Sequence, residues 1–469
     1  MRLDKVLLIS PPISPGQVYG RYAPASPMFP PLGLCCVGGA LLQDGCEVRL
    51  MDCTAERSSF ADIRRQITDF QPHMVGLTST TVSFHSAQQV LALVKGLDPS
   101  ILTVLGGAHV SAVPVQTLEE CPHLDVGVCG EGETTIRELR KAVRDERALS
   151  SVPGICCREQ GGVVLAAPRH RAADLDQFPP PARHLLKDLK AYFPNPFRGG
   201  PQAVSMISSR GCALGCSYCD QSVFGRSWRG HSVDHVMREL RELKKSFRFD
   251  FFSFEDDHFL INPRRVQELC ERMIAERMDI GWSCSARVDS IVPELLSLMK
   301  RAGCRTIYFG IETGSPRMAR LIDKGLDLDQ VRHGVRLCAD SGIKAYGSFM
   351  LGIPTETPEE MDQTMGFALS LPLEAISCFL YVPYPGTPLR ALALASGFVS
   401  QDWRDYSAHP TRPPFVGFGL SAEDLLSRQR RFYRGFYLRP GHVARHWRRW
   451  LNPGFLGFAA ALDSASRNR

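Results

Sequence analysis

The chain has 469 residues, 44% hydrophobic and 22% charged, with 40 Gly and 33 Pro. This composition supports two to four packed domains and excludes a disordered, collagen-like or small disulfide-framework protein. The net charge of +6 is unevenly spread: residues 421–469 hold ten Arg against three acids, leaving the first 420 residues at −1.

No apolar run reaches the ~20 residues of a membrane-spanning helix. The start, MRLDKVLLISPP, has too short an apolar stretch for a secretory signal and no small-residue cleavage site, so a cytoplasmic protein is expected. In that compartment the sixteen cysteines read as reduced thiols. Most, such as Cys35, Cys36, Cys270, Cys304 and Cys338, lie in apolar or helical patterns and read as small buried hydrophobes.

Residues 1–145 alternate short apolar runs with helical patterns. VLLIS (6–10), EVRLMDC, MVGLTS (74–79), ILTVLGG (101–107) and DVGVCGEGE read as strands, and 32–44, 60–69 and 87–97 as helices. The rhythm predicts an α/β fold: an open, doubly wound parallel sheet whose ligands bind beyond the carboxyl ends of its strands. Thr78, Ser79, Thr80 and Thr81, then Gly106 and Gly107, then Gly130 and Gly132 fall at those ends. Glycine there lets backbone approach a bulky ligand, although each one singly reads as a strand-to-helix turn. ProProIleSerProGly stands where a dinucleotide fingerprint GxGxxG would be needed, so a dinucleotide site is not expected.

Residues 146–199 read as a Pro-rich linker, with PPPARH at 179–184 and NPF near Phe197. Over 200–395 the alternation resumes. AVSMISS (203–209), FDFFSFED (249–256), IGWSCSAR (280–287), TIYFGIE (306–312), KAYGSFMLG (344–352) and AISCFLYVP (375–383) are the expected strands. Helices are expected over 235–245, 263–277, 293–301 and 328–341. Six such units build a parallel barrel or a partial one, with strand ends lining the active face. Residues 396–469 form a helical region with a basic tail. Its Arg residues interleave with Phe432, Tyr433, Phe436, Tyr437, Trp447 and Trp450. That pattern fits either contact with an anionic surface, membrane-peripheral or nucleic acid, or a solvated helix face packed on the body through its aromatics.

CysAlaLeuGlyCysSerTyrCys places Cys212, Cys216 and Cys219 on one short loop after the first strand of the second body. Three thiolates reach three corners of one cluster. A closed all-cysteine zinc or iron-sulfur site needs a fourth, for which Cys284 and Cys304 stay open.

The Cys212-x3-Cys216-x2-Cys219 spacing, with Tyr218 before its last Cys, resembles the signature of the radical S-adenosylmethionine (SAM) enzymes. There an open iron of a 4Fe–4S cluster chelates SAM and passes it an electron, yielding a 5′-deoxyadenosyl radical that takes hydrogen from substrate. PheGluAspAsp (254–257), SerAlaArgValAsp (285–289), GlyIleGluThrGly (310–314) and LeuGlyIleProThrGluThr (351–357) also match. Arg287 suits the carboxylate of SAM, while Glu255 and Glu312 suit its amine, sulfonium and ribose hydroxyls. The rival reading makes them internal ion pairs, Arg287 with Glu312 included. Asp256 lies in the same stretch.

PheProProLeuGlyLeu (29–34), GlyGlyAlaHisValSer (106–111) and GlyGluGlyGlu (130–133) resemble the cobalamin-binding domain that precedes the barrel in B12-binding radical SAM enzymes. CysAspGlnSerValPheGly (219–225) and FYRGFYLRP (432–440) resemble the branch with hopanoid-modifying enzymes and the anaerobic magnesium-protoporphyrin ester cyclase. The resemblance implies cobalamin contacts from Thr78, Ser79, Thr80, Gly106, Gly107, His109, Gly130, Glu131 and Gly132. The Asp-x-His-x-x-Gly loop that ligates cobalt in other B12 proteins does not occur, so no axial ligand is assigned. The implied activity is methyl transfer to an unactivated carbon, or to phosphorus, of a small molecule or lipid. Its rivals are radical cyclisation or rearrangement without methyl transfer and, from another class, a cobalamin or iron-sulfur sensor. An electron donor such as flavodoxin or ferredoxin is implied; a nucleic-acid partner is not.

Overall fold

The computed structural model describes residues 3–159, 161–192, 204–247, 249–407 and 409–447, with 456 and 460 beyond them. Ala203, the NPF segment and Trp450 lie outside the described residues. The chain forms two compact units. The first comprises Met1–Ser14, Pro30–Tyr192 and Asp220–Arg229, and the second Pro15–Phe29, Phe193–Cys219 and Gly230–Arg469.

In the first unit β1 (Lys5–Ser10), β2 (Glu47–Asp52), β3 (Met74–Thr78), β4 (Leu102–Gly106) and β5 (Val126–Val128) run parallel in the order β2-β1-β3-β4-β5. The inner strands are buried throughout their centres, as continuous apolar runs require when helices cover both faces. The covering helices are Leu32–Gln43, Phe60–Phe70, Phe84–Leu97 and Gly132–Arg144. Ser59 and Asp62 close a capping box on the second of these. The strand ends expected to face ligand do lie together at the carboxyl edge.

Residues 146–192 are not a bare linker. β6 (Ile155–Glu159) and β7 (Gly162–Leu165) add to β5 as an antiparallel hairpin, so the sheet is mixed and has seven strands. Its turn uses Gly161 at φ +80°. The short apolar run ICC and the two glycines before VVL are the local signs. The segment Pro15–Phe29 departs from the 1–145 boundary in the other direction: Tyr22 packs its ring against His409 and Tyr433 of the second unit, at centroid distances of 5.1 and 4.7 Å.

The second unit holds six parallel strands: β8 (Val204–Met206), β9 (Phe251–Phe254), β10 (Gly281–Ala286), β11 (Cys304–Glu312), β12 (Lys344–Leu351) and β13 (Ala375–Leu380). They lie in sequential order, β8 and β13 at the edges, which is the open six-stranded barrel expected. Alternate residues such as Phe252, Phe254, Trp282, Cys284, Ile307, Phe309, Ala345 and Phe349 form the core. The intervening positions include Ser253, Ser283, Ser285, Ser348 and Ser377, on the opposite face by strand alternation. Helices Val233–Ser246, Pro263–Ala275, Pro293–Arg301 and Leu328–Asp340 lie near their expected places. Pro358–Ser370 was not anticipated, although Thr357 and Glu360 spell its capping box.

The basic carboxy-terminal region closes an edge. On helix Ala422–Tyr437, Tyr437 Oη accepts from Ile376 N at 2.9 Å and donates to Ile376 O at 2.8 Å. Tyr433 Oη accepts from Cys378 N at 2.8 Å, and Gln429 Nε2 donates to Cys378 O at 2.8 Å. Phe432, Tyr433, Phe436 and Tyr437 are therefore buried on the body, which removes them from any membrane-facing surface; Trp447 is 56% exposed. Among the described residues no helix is long and apolar enough to cross a membrane.

Candidate active site

The three-cysteine loop is anchored at both ends. Ser208 donates its amide to Asp256 Oδ1 at 2.7 Å and its hydroxyl to Oδ2 at 2.6 Å, and Ser209 Oγ adds a donor to Oδ2 at 2.6 Å. Burial raises the Asp256 carboxyl above its ordinary range, although these donors and Arg265 pull it down. Asp256 thus positions the loop rather than facing a ligand. Gly211, at φ +81°, donates its amide to Asp257 Oδ2 at 3.1 Å. At the far end Ser217 donates its amide to Ile322 O at 2.9 Å and its hydroxyl to Leu321 O at 3.1 Å, and its carbonyl accepts from Leu389 N at 2.9 Å.

None of the sixteen cysteines forms a disulfide, and the loop carries three of the five that are not fully buried. Cys284 and Cys304, open as fourth ligands from sequence, instead belong to the apolar core, where Cys304 pairs with Cys284. The loop therefore offers three thiols with no fourth from Cys284 or Cys304. Burial raises the Cys216 thiol, while the charges of Lys324 and Arg287 favour its thiolate.

Strand ends join this loop through an ionic network. Tyr218 Oη donates to Glu312 Oε1 at 2.9 Å, and Lys324 Nζ lies 2.6 Å from the same oxygen and 3.2 Å from Tyr218 Oη. Arg287 does not pair with Glu312. Its Nε and Nη2 grip Asp289 at 3.0 and 2.7 Å, and Nη1 donates to Lys324 O at 2.5 Å. Glu312 sits at φ +70°, where the β11–β12 register shifts, a backbone state that non-glycine residues adopt at a cost of order 1–3 kcal/mol. A Cβ at Gly310 would meet Lys324 Nζ and Glu312 Oε1, so a larger residue there would displace the pair from its present geometry. Glu255 follows β9, half-exposed, its amide bonded to Met206 O at 2.8 Å.

Sequence reasoning missed Lys324, Asp289 and Ser217. Asp289 stood inside a matched motif. Nothing local marks Lys324, whose partner is twelve residues away in sequence.

In the first unit the rims of β3, β4 and β5 are tied together. Ser79 N donates to Gly106 O at 3.0 Å, and Ser111 Oγ donates to Gly107 O at 2.7 Å while accepting from Gly130 N at 2.9 Å. Gly107, at φ +102°, leaves room for the chain itself: a Cβ there would lie 2.6 Å from Ser79 O and 2.9 Å from Thr78 Oγ1. Thr80 caps the turn Thr81–Ser83. Gly132 opens helix Gly132–Arg144, while Gly130 and Glu131 line a cavity of about 180 Å³ with Arg169, Arg171 and Phe178. Glu131 accepts from Arg229 Nη1 at 3.2 Å.

His109 departs from its expected place. It is 0% exposed, stacked on Phe84 at 4.1 Å with Nδ1 3.4 Å from Thr81 Oγ1, and burial lowers its pKa to about 4. Its ring fills the core behind the rim, because the helix Ala108–Ala112 turns it inward.

Residues 23–140 match the B12 binding domain and residues 206–368 the Radical SAM superfamily. A protein described as an uncharacterized methyltransferase of Pyrococcus horikoshii is 35% identical over 94% of this chain and 94% of its own. The anaerobic magnesium-protoporphyrin IX monomethyl ester cyclase of Rubrivivax gelatinosus is 29% identical over 86% of this chain and 74% of its own. The solved radical S-adenosylmethionine methyltransferase TsrM of Kitasatospora setae, with cobalamin and a 4Fe–4S cluster bound, shares the fold. Its TM-score is 0.69 at 18% identity, covering 100% of this chain and 92% of that one. With both domain matches and a full-length relative in hand, the chain belongs to the cobalamin-binding radical SAM enzymes, which use a 4Fe–4S cluster, SAM and cobalamin.

Proposed function

We propose that the protein is a cobalamin-dependent radical SAM methyltransferase that methylates an unactivated carbon, or phosphorus, of a small molecule. The observation that carries the reading is the loop of three incompletely buried thiols, pinned at both ends and joined by Tyr218 to the Glu312–Lys324 pair. The name of the 35% identical relative supports methyl transfer. When bound, the cluster and SAM supply a hydrogen-abstracting radical, and cobalamin carries the methyl group.

Cys212, Cys216 and Cys219 hold the cluster, favoured by the positive charge of Lys324 and Arg287 beside Cys216. Tyr218, Glu255 and Glu312 face SAM. Arg287, engaged by Asp289 and Lys324 O, contributes charge and holds the network in place. Among the described residues, buried Ser79 Oγ at the end of β3 has no hydrogen-bond partner, which fits a ligand acceptor or donor at the rim. The nearest atom to a Cβ built on Gly106 is Leu77 O at 3.9 Å, so this position leaves space for backbone approach. Thr78, Ser79, Thr80, Gly106, Gly107, Gly130, Glu131 and Gly132 form the cobalamin rim, Gly107 through the shape it gives the chain. His109 is left out of it. A reduced flavodoxin or ferredoxin supplies electrons.

The cyclase named among the relatives favours a second reading, ring formation or rearrangement without methyl transfer. Anaerobically reconstituted protein given trideuteromethyl-SAM, cobalamin and reductant separates the two. Methyl transfer yields S-adenosylhomocysteine beside 5′-deoxyadenosine, with label in the protein-bound cofactor fraction; 5′-deoxyadenosine alone sinks it. Cys216→Ala abolishes both products and the cluster absorbance.

A further inference from the structure

Residues 168–172, ProArgHisArgAla, follow β7 in the stretch expected to be a linker, and all five line the cavity of about 180 Å³ next to the end of β5. Every residue lining it belongs to the first unit. They share it with Gly130, Glu131 and Thr134, at the start of helix Gly132–Arg144, whose N-cap residue Glu131 makes no side-chain capping bond. The amides of such a first turn favour a negative ligand. The side-chain charges around the cavity do not cancel. Glu131 is engaged by Arg229, whose Nη1 lies 3.2 Å from it and donates to Ala172 O at 2.8 Å. Arg169 Nη2 donates to Glu138 Oε2 at 2.6 Å and to Pro153 O at 2.9 Å. Arg171 has no carboxylate among the described residues; its one hydrogen bond there runs from Nε to Val223 O at 3.4 Å. Its guanidinium lies against Gly225, where a Cβ would stand 2.6 Å from Nη1. Two further donors wait beside it. Arg169 Nε and Arg229 Nε are buried with no acceptor among the described residues, and the Arg229 side chain is only 10% exposed. Folded proteins pair the great majority of such donors. A surplus of guanidinium N–H groups suits the several oxygens of a phosphate. The volume exceeds the ~30 Å³ of a water several-fold, which admits a phosphate group. Cobalamin carries one phosphate, the diester of its nucleotide loop, and Gly130 and Glu131 belong to its proposed rim.

We propose that this cavity is a phosphate seat with Arg171 as its main binding residue, and that the phosphodiester of the cobalamin nucleotide loop occupies it. The proposal rests on the reading of Gly130, Glu131 and Gly132 as part of the cobalamin rim.

The test is equilibrium dialysis of the full-length protein against three corrinoids: cobalamin, cobinamide phosphate, which keeps the phosphate without the base, and cobinamide, which has neither. Wild-type protein is expected to bind cobinamide phosphate about tenfold more tightly than cobinamide, the worth of roughly one charge-assisted hydrogen bond. Arg171→Gln is expected to raise the Kd for cobalamin and for cobinamide phosphate about tenfold and to leave that for cobinamide unchanged, and Arg171→Lys to recover part of the loss. Equal binding of cobinamide phosphate and cobinamide by the wild type overturns the proposal without any variant having to fold. An Arg171→Gln protein that weakens all three corrinoids equally, or none, overturns it too. Radiolabelled inorganic phosphate separates the sources. Binding that depends on Arg171 and is displaced by cobalamin but not by cobinamide supports the seat; binding that cobalamin does not displace assigns the cavity to another phosphate and overturns the proposal. Wild-type binding of cobinamide tests the rim itself, so that reading can stand while this one fails, and a protein that binds none of the three corrinoids defeats both.

Discussion

Glu312 and Lys324 meet at 2.6 Å with side chains about nine-tenths buried, at 10% and 9% exposure. A buried pair of this kind is costly to break, because removing one partner strands a charge out of water at about 3–5 kcal/mol. Lys324→Ala is expected to lose that much stability in urea unfolding and to abolish SAM cleavage. The double variant Glu312→Gln with Lys324→Met should regain most of the stability but none of the cleavage. If the single variant unfolds like wild type, the pair is not the buried charge lock described. Both Arg287 and Glu312 were legible as charged strand-end residues in matching motifs. Their partners were not: Arg287 took Asp289, two residues on, and Glu312 took a lysine on the following turn, choices set by where the chain folds back. Gly107 shows the same limit. Its glycine is legible, but its φ of +102° and the Ser79 carbonyl beneath it make it a requirement of the rim itself, so Gly107→Val would report on folding.

Edge strands expose unpaired backbone groups and invite aggregation. Here β13 is completed by side chains of helix Ala422–Tyr437, an amphipathic helix whose Tyr433, Tyr437 and Gln429 continue the ladder. Tyr437→Phe removes both bonds to Ile376 and leaves its amide unsatisfied, at a cost of about 1–3 kcal/mol, while its carbonyl still accepts from Tyr346 Oη at 3.1 Å. Hydrogen exchange should then show loss of protection at Ile376, with Cys378 less affected because Tyr433 remains. Unchanged exchange at Ile376 would mean that the phenol does not hold the edge. The aromatic spacing on this helix was visible in the sequence and compatible with either a membrane or a protein surface. Only the presence of an open strand edge beside it decides for protein.

At the scale of the whole molecule, buried titratable groups bound the stable pH range from both sides. His109, His258 and His409 are neutral in the fold, with pKa values lowered by burial to about 4, about 4 and about 3. The unfolded chain takes up these protons below about pH 6.5, so stability falls as pH drops from there toward 4, at up to about 1.4 kcal/mol per pH unit per histidine. Glu356 works in the opposite direction. Burial raises its carboxyl to about 8, against two amides of Gly352 and Ile353 that favour the charge. Its contribution is full below about 4.5 and is lost as pH rises through 8. Urea midpoints measured from pH 4.5 to 8.5 should peak near neutrality. Glu356→Gln should flatten the alkaline limb and His409→Gln the acid one; identical profiles for all three proteins would contradict this assignment.

The sequence by itself determined what short range controls. Three cysteines within eight residues stay close however the rest folds, and the apolar runs and caps set all six barrel strands and the five strands of the parallel sheet. Tertiary structure alone decided what depends on contacts between distant segments. It drew residues 15–29 into the second unit, turned residues 155–165 of the expected linker into the hairpin β6–β7, sent His109 into the core and gave Arg287 to Asp289 and Glu312 to Lys324. The physical reason is the range of each cue. Spacing and periodicity act over a few residues, whereas a hydrogen-bond or ion-pair partner is chosen by whichever segment packing brings alongside, and no local pattern records that choice.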